Sequence, residues 1–312
     1  MAEVRKIWDS APHNAFTDLI RFKGSWYSVF REGANHVSPD GKLRVITSKN
    51  GRDWRSAALL ASSTGDLRDA KITITPDHRL MLTGASALHQ PAPARHQSLV
   101  WFSSDGVRWS EPEAIGDPDF WLWRTTWHKG VAYSFGYNTN QDRNKRTIRL
   151  YRSTDGVRYE TLLADAGVEN SPGEHSLVFR KDGAAVCLLR RDPYRGTPPI
   201  LPEQATALAG IARPPYTNWT WKDLKTRIGG PHLLELPGGR LVAAVRLHHP
   251  EPRTALAYLD PKAGTLQEFL PLPSGGDSSY AGLVWHNRLL WVSYYSSHEG
   301  KTSIYLAKVE LP

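Results

Sequence analysis

Phe16-Thr17-Asp18-Leu19-Ile20-Arg21-Phe22-Lys23-Gly24-Ser25-Trp26-Tyr27-Ser28-Val29-Phe30-Arg31 reads as a short strand, a turn and a second strand that ends in arginine. The phrase returns at Asp66–Thr83, Phe120–Tyr137, Gly173–Arg191, Gly229–Arg246 and Ser278–Tyr295. The six starts are spaced by 50, 54, 53, 56 and 49 residues. A period near fifty residues, with room for four short strands per unit, is the sequence signature of a β-propeller. The expected fold is therefore all-β: one domain over residues 1–312, built of six four-stranded antiparallel blades. A propeller gathers the first strands of its blades around one funnel, so residues distant in sequence can meet there.

Two additions complete each of the first three repeats and the ring. Ser48-Lys49-Asn50-Gly51-Arg52-Asp53-Trp54, Ser103-Ser104-Asp105-Gly106-Val107-Arg108-Trp109 and Ser153-Thr154-Asp155-Gly156-Val157-Arg158-Tyr159 recur in step with the main period. Each suits a hairpin turn: Asn or Asp bonds the turn backbone, Gly supplies a positive φ, and the aromatic ring packs beneath. The stretches around Ala212–Trp221, Ala255–Phe269 and Thr302–Val309 lack this motif but keep strand patterning. The last blade has three strands of its own, and Val4-Arg5-Lys6-Ile7-Trp8 is an orphan strand at the other end. Pairing the two closes the ring and removes both free edges.

Composition narrows the partners. The formal charge is +8, which favours anionic ligands, but arginines recur at strand ends rather than in a basic helix or tail. That pattern suits a focused anion site and not a nucleic-acid track. No apolar run reaches membrane-spanning length, and the N-terminus shows no leader pattern. The compartment stays open: secreted or periplasmic after removal of a leader, or cytoplasmic. Twelve tryptophans and twelve tyrosines supply packing between blades and surfaces on which a sugar can lie. Cys187 is the single cysteine, which excludes an intrachain disulfide, and it reads as a small buried hydrophobe.

The residues that open the six innermost strands are the candidates for chemistry: Thr17 and Asp18, Arg68 and Asp69, Arg124, Glu174 with His175 and Ser176, Pro231 and His232, and Ser279 and Tyr280. Acid, base and arginine together at one mouth point to a site. Asp69 reads equally as an ion-pair partner of Arg68 that fixes the blade-two loop and as a residue of the site, where it is placed with the substrate binders. His175 and His232 stand at the level of a substrate donor or proton carrier. The histidines at 36, 175 and 232 are the set considered for a metal; no metal or cofactor is assigned.

The three turn motifs resemble the Asp-boxes, or bacterial neuraminidase repeats, of the sialidase superfamily. The resemblance extends to Glu174 opening the fourth innermost strand, Arg190 ending the next strand, and Tyr280 on the last blade. It implies that Tyr280 is a nucleophile and Glu174 the base that activates it, since a phenol with a pKa of about 10 attacks poorly unaided. It implies an acid in the loop after the first blade, Glu32–Asp40, with Asp40 the nearest match and His36 its competitor. By blade position, the resemblance implies Arg246 as a further arginine, beside Arg190, of a clamp on a substrate carboxylate, with Arg31, Arg68 and Arg124 as second-tier binders. One departure stands out. Sialidases open blade one with Arg-Ile-Pro, whereas Asn14–Ile20 here contains no arginine and places Asp18 nearby.

The leading expectation is a sialidase-like exo-glycoside hydrolase that removes a terminal, anionic sugar from a glycan. The alternatives are a propeller polysaccharide lyase acting on uronate polymers through His175 or His232 with Tyr280, and a non-catalytic carbohydrate-binding propeller.

Overall fold

The computed structural model describes residues 2–311. Six sheets stand in a ring. Blade one is β2 (His13–Phe22), β3 (Ser25–Gly33), β4 (Lys42–Ser48) and β5 (Arg55–Leu60). Blade two is β6 (Gly65–Ile74), β7 (Leu80–Leu88), β8 (His96–Ser103) and β9 (Glu113–Ile115). Blade three contains β10 (Phe120–Leu122), β11 (Thr126–His128), β12 (Val131–Asn138), β13 (Ile148–Ser153) and β14 (Glu160–Leu163). Its innermost strand is broken into β10 and β11, both paired with β12, so Trp123–Thr125 bow out of the ladder. Blade four is β15 (Pro172–Phe179), β16 (Ala185–Arg191), β17 (Leu208–Ala212) and β18 (Trp219–Asp223). Blade five is β19 (Ile228–Glu235), β20 (Leu241–Leu247), β21 (Arg253–Asp260) and β22 (Thr265–Pro271).

Blade six is β23 (Ser278–His286), β24 (Leu289–Ser296) and β25 (Ser303–Val309), completed by β1 (Ala2–Trp8). β1 runs antiparallel to β25, with Val4 opposite Ala307 and Lys6 opposite Tyr305. The expected closure of the ring is therefore present. Among the described residues the helical content is one 3-10 turn, Arg143–Lys145. No helix is long and apolar enough to cross a membrane.

Local chemistry explains the hairpins. Lys23-Gly24 joins β2 to β3 with φ values of 45° and 78°, the mirror-image turn whose twist matches its strands. The outer turns behave as their composition suggests: Asp105 Oδ1 accepts from the Val107 and Arg108 amides, and Asp155 Oδ1 repeats this with Val157 and Arg158. Burial lies mainly between blades. Trp26 of blade one stacks on Trp291 of blade six with ring centroids 4.1 Å apart. Val186, Leu188, Leu233, Val245 and Leu259 form the seam of blades four and five.

One feature of the innermost strands positions the site. Five of them carry a bulge of one extra residue near their start, two residues opposite one: between Ala15 and Asp18, Arg68 and Lys71, Pro172 and His175, Gly229 and His232, and Ser279 and Gly282. The break in blade three falls at the equivalent level. Phe16, Asp69 and Tyr280 occupy matching bulge positions with φ of 63°, 55° and 51°. Bulges re-aim side chains and are common beside active sites.

Candidate active site

Four strands bring three groups into one hydrogen-bonded cluster. The bulge of β23 carries Tyr280, the bulge of β15 carries Glu174, and the end of β16 carries Arg190. The Tyr280 hydroxyl donates to Glu174 Oε1 at 2.7 Å. Arg190 Nη1 donates to the same carboxylate oxygen at 2.6 Å and to the Tyr280 oxygen at 2.7 Å. The fourth strand, β19, contributes the Gly230 amide, which donates to Glu174 Oε2 at 2.8 Å. Gly230 sits at φ 52°, and a Cβ there would lie 2.5 Å from Tyr280 Cγ, so only glycine lets this backbone approach the ring.

The electrostatics follow from burial and charge. Burial pushes the Tyr280 phenol far above its ordinary value against the opposing pull of Arg190, so the resting group is a neutral hydroxyl. Burial works against the charge of Arg190, but Asp192 and Glu174 outweigh it and hold its pKa up. Asp192 clamps Arg190 Nε at 2.9 Å from the far side. Arg246 lies over the Tyr280 ring, 5.2 Å from its centroid, and donates to Asp277 Oδ1 and the Tyr295 hydroxyl at 3.2 and 2.9 Å. Phe16 and Trp123 meet the Tyr280 ring edge-on, at 5.2 and 5.7 Å.

Asp69 is buried in the same funnel, and among the described residues no donor bonds its carboxyl. Burial raises its pKa, and the nearby charge of Arg68 only partly offsets that. Arg68 donates to Asp66 at 3.0 Å and covers the Phe16 ring.

The remaining candidates are placed elsewhere. Asp18 is fully buried below the mouth: Oδ2 accepts from Arg124 Nη1 at 2.8 Å and from the Ile72 amide at 2.9 Å. Arg124 is thus committed to an interior ion pair. His175 and His232 share this layer, bonded to the Phe135 amide and to the backbone of Ala281 and Leu283. Burial, with the charge of Arg124, takes both imidazoles down to about 3, so they are neutral. Lys71 completes the layer; burial, with Arg124 beside it, brings it down to about 8. Arg31 is fully buried and ties blade one to blade two through Asp66 at 2.9 Å, while gripping Asn35 and Ser38 of the loop above.

That loop, residues 34–41, lies within blade one, between β3 and β4, rather than after it. Asp40 is exposed and turns back on the loop, its oxygens 3.1–3.2 Å from the Ala34 amide. Its bonds with Ser38 and Ala34 lower its pKa, the opposite of what proton donation needs. His36 does reach the mouth. Its ring stands against Phe16 at 5.0 Å and its Nδ1 meets Asp277 Oδ2 at 2.6 Å, where His13 also arrives at 3.0 Å. Of the histidines considered for a metal, only His36 has a second histidine and a carboxylate beside it, and those partners are His13 and Asp277. The sequence reading missed Asp277, His13 and Gly230. Asp277 and Gly230 each lie within three residues of a candidate, which is the signal that could have found them.

No protein-family model matches the chain, and no curated protein matches it. Solved structures do. A protein of unknown function from Dyadobacter fermentans superposes with a TM-score of 0.83 at 20% identity, covering 99% of each chain. Penicillium chrysogenum α-L-arabinanase, in complex with arabinobiose, gives 0.76 at 12% identity over 99% of this chain and 98% of its own. Trypanosoma rangeli sialidase gives 0.73 at 11% identity over 96% of this chain and 55% of its own. These identities make the likeness one of fold. The chain shares the six-bladed propeller found in glycoside hydrolases of more than one specificity.

Proposed function

We propose that this protein is a retaining glycoside hydrolase that releases a terminal acidic sugar from a glycan. The observation that carries the reading is the Tyr280–Glu174–Arg190 cluster, with its three contacts of 2.6–2.7 Å. A neutral phenol becomes a nucleophile only as its proton leaves, and Glu174 is already hydrogen-bonded to receive it. Arg190 and the overlying Arg246 stabilise the phenolate character that develops during attack.

In the first step the Tyr280 oxygen bonds to the anomeric carbon while its proton passes to Glu174. The leaving oxygen takes a proton from Asp69, the funnel carboxyl whose pKa burial raises. In the second step Asp69 removes a proton from water, which attacks the anomeric carbon. The Tyr280 oxygen departs and recovers its proton from Glu174. A phenol suits a substrate with a carboxylate at the reacting carbon, because a carboxylate nucleophile would be repelled by it. Arg190 and Arg246 supply two arms for that carboxylate, and Phe16 occupies the blade-one bulge where a third could stand. The chain's charge of +8 favours such a substrate.

The lyase reading asks for His175 or His232 at the mouth, and both are neutral and bonded in the layer below. Incubation with a pool of sialylated and uronate-bearing oligosaccharides, followed by product masses, tests the reaction class. The proposal expects products that together gain one water; unsaturated fragments would establish the lyase, and no product from the pool would favour a binding propeller or a substrate outside the pool.

A further inference from the structure

Three polar side chains at the funnel mouth converge on a point that this mechanism does not use. His13 opens β2, His36 sits in the loop held by Arg31, and Asp277 precedes β23, so the cluster bridges blade one and blade six. Asp277 Oδ2 lies 3.0 Å from His13 Nε2 and 2.6 Å from His36 Nδ1, and the three ligand atoms are all within 4.8 Å of one another. The other oxygen, Oδ1, is engaged separately, by the Tyr295 hydroxyl at 2.8 Å and Arg246 Nη2 at 3.2 Å. One oxygen is thus anchored and the other is presented to two imidazole nitrogens. That is the division expected of a carboxylate that ligates through one oxygen and is oriented through the second.

We propose that His13, His36 and Asp277 form a binding site for a borderline divalent cation, Zn2+ first among them. Two imidazoles and one carboxylate are the ligand set this ion favours, and three protein ligands leave a position open. Donors at 2.0–2.2 Å from a tetrahedral ion stand about 3.3–3.6 Å apart. The spacings to Asp277 Oδ2 are shorter than this, by about 0.3–0.6 Å for His13 and about 0.7–1.0 Å for His36, and the ligand that must retreat most, His36, is also the freest: its side chain is 49% exposed, against 10% for His13. The guanidinium of Arg246 shares the carboxylate and opposes a second positive charge, so the site is reversible rather than permanently filled. The His36 ring packs against Phe16. An ion here places positive charge beside the opening of the first innermost strand, where Asn14–Ile20 contains no arginine, with its open position available to an acidic oxygen of the sugar. That role rests on the function proposed above; ion binding does not.

The test is calorimetric titration of chelator-treated protein with Zn2+, repeated with His36→Ala and Asp277→Asn, with circular dichroism to verify folding. Visible spectra on adding Co2+ report the ligand set. The expected result is one ion per chain, a visible Co2+ spectrum, and affinity reduced at least tenfold in His36→Ala, whose substitution lies in a half-exposed loop and leaves the fold intact. Absence of saturable binding to the unsubstituted protein would overturn the proposal, as would unchanged affinity and spectrum in folded His36→Ala. Neither result depends on hydrolysis, so loss of this site and loss of the hydrolase reading are told apart by the product masses.

Discussion

Tyr280 and Asp69 stand at equivalent bulges of two blades and are given opposite tasks by their surroundings. Tyr280 meets a base and two arginines; Asp69 is buried without a hydrogen-bond donor and holds its proton to higher pH than an ordinary carboxyl. The protonated form of Asp69 is the one that serves a leaving group. Activity therefore falls as pH rises through its raised pKa, above the usual carboxylate value of about 4. Asp69→Asn is expected to remove that alkaline limb. It should slow substrates with poor leaving groups by about 10²–10⁴-fold while sparing activated aryl glycosides. A pH profile of kcat/KM with both substrate types checks this. The period put Glu174 and Tyr280 among the residues that open innermost strands, and the resemblance of the chain to sialidases singled them out as a pair. The fate of Asp18 and Arg124 was not legible: strand position alone does not say whether a side chain faces the mouth or the buried layer one step below.

The element that sets this choice is the bulge, which inserts one residue into the innermost strand. Without it, Tyr280 and Glu174 would follow plain alternation along β23 and β15, and the strand beside them could not come close enough to bond Glu174. Gly230→Ala tests that geometry. The new methyl would fall 2.5 Å from Tyr280 Cγ at a backbone φ of 52°, displacing the ring and straining the Gly230 amide bond to Glu174. Stability is expected to drop by about 1–3 kcal/mol, read by denaturant midpoint. kcat should fall far more than the modest stability loss explains. Strand pairs and turns were readable from alternation and Gly-containing turns. The bulges were not, since an inserted residue changes register without changing composition; the missing first-blade arginine, by contrast, was visible at once.

The whole molecule depends on a closed ring, in which the first strand completes the last blade. β1 pairs with β25, and Trp8 donates its indole N–H to Glu32 Oε1 of blade one at 2.7 Å. The first strand therefore clasps blade six and touches blade one. A variant lacking residues 1–10 exposes the edge of β25 and uncovers Val4, Ile7 and Trp8 contacts. The expected cost is about 2–5 kcal/mol, with a lower melting temperature and a tendency to associate through the open edge. An unchanged melting temperature would contradict the closure. Architecture at this scale was the most legible level, because six copies of one phrase repeat the same constraint. The pairing of His13 and His36 with Asp277 was the least, since these residues meet only once the ring closes.

The central claim is that Tyr280 forms a bond to sugar. The direct measurement is the intact and peptide mass of the protein after exposure to a fluorinated acidic glycosyl fluoride, whose slow second step lets the intermediate accumulate. The account predicts one added glycosyl group per chain, located on Tyr280 and absent from Tyr280→Phe. Turnover of an acidic glycoside by Tyr280→Phe at the unsubstituted rate, or an adduct on another residue, would contradict it.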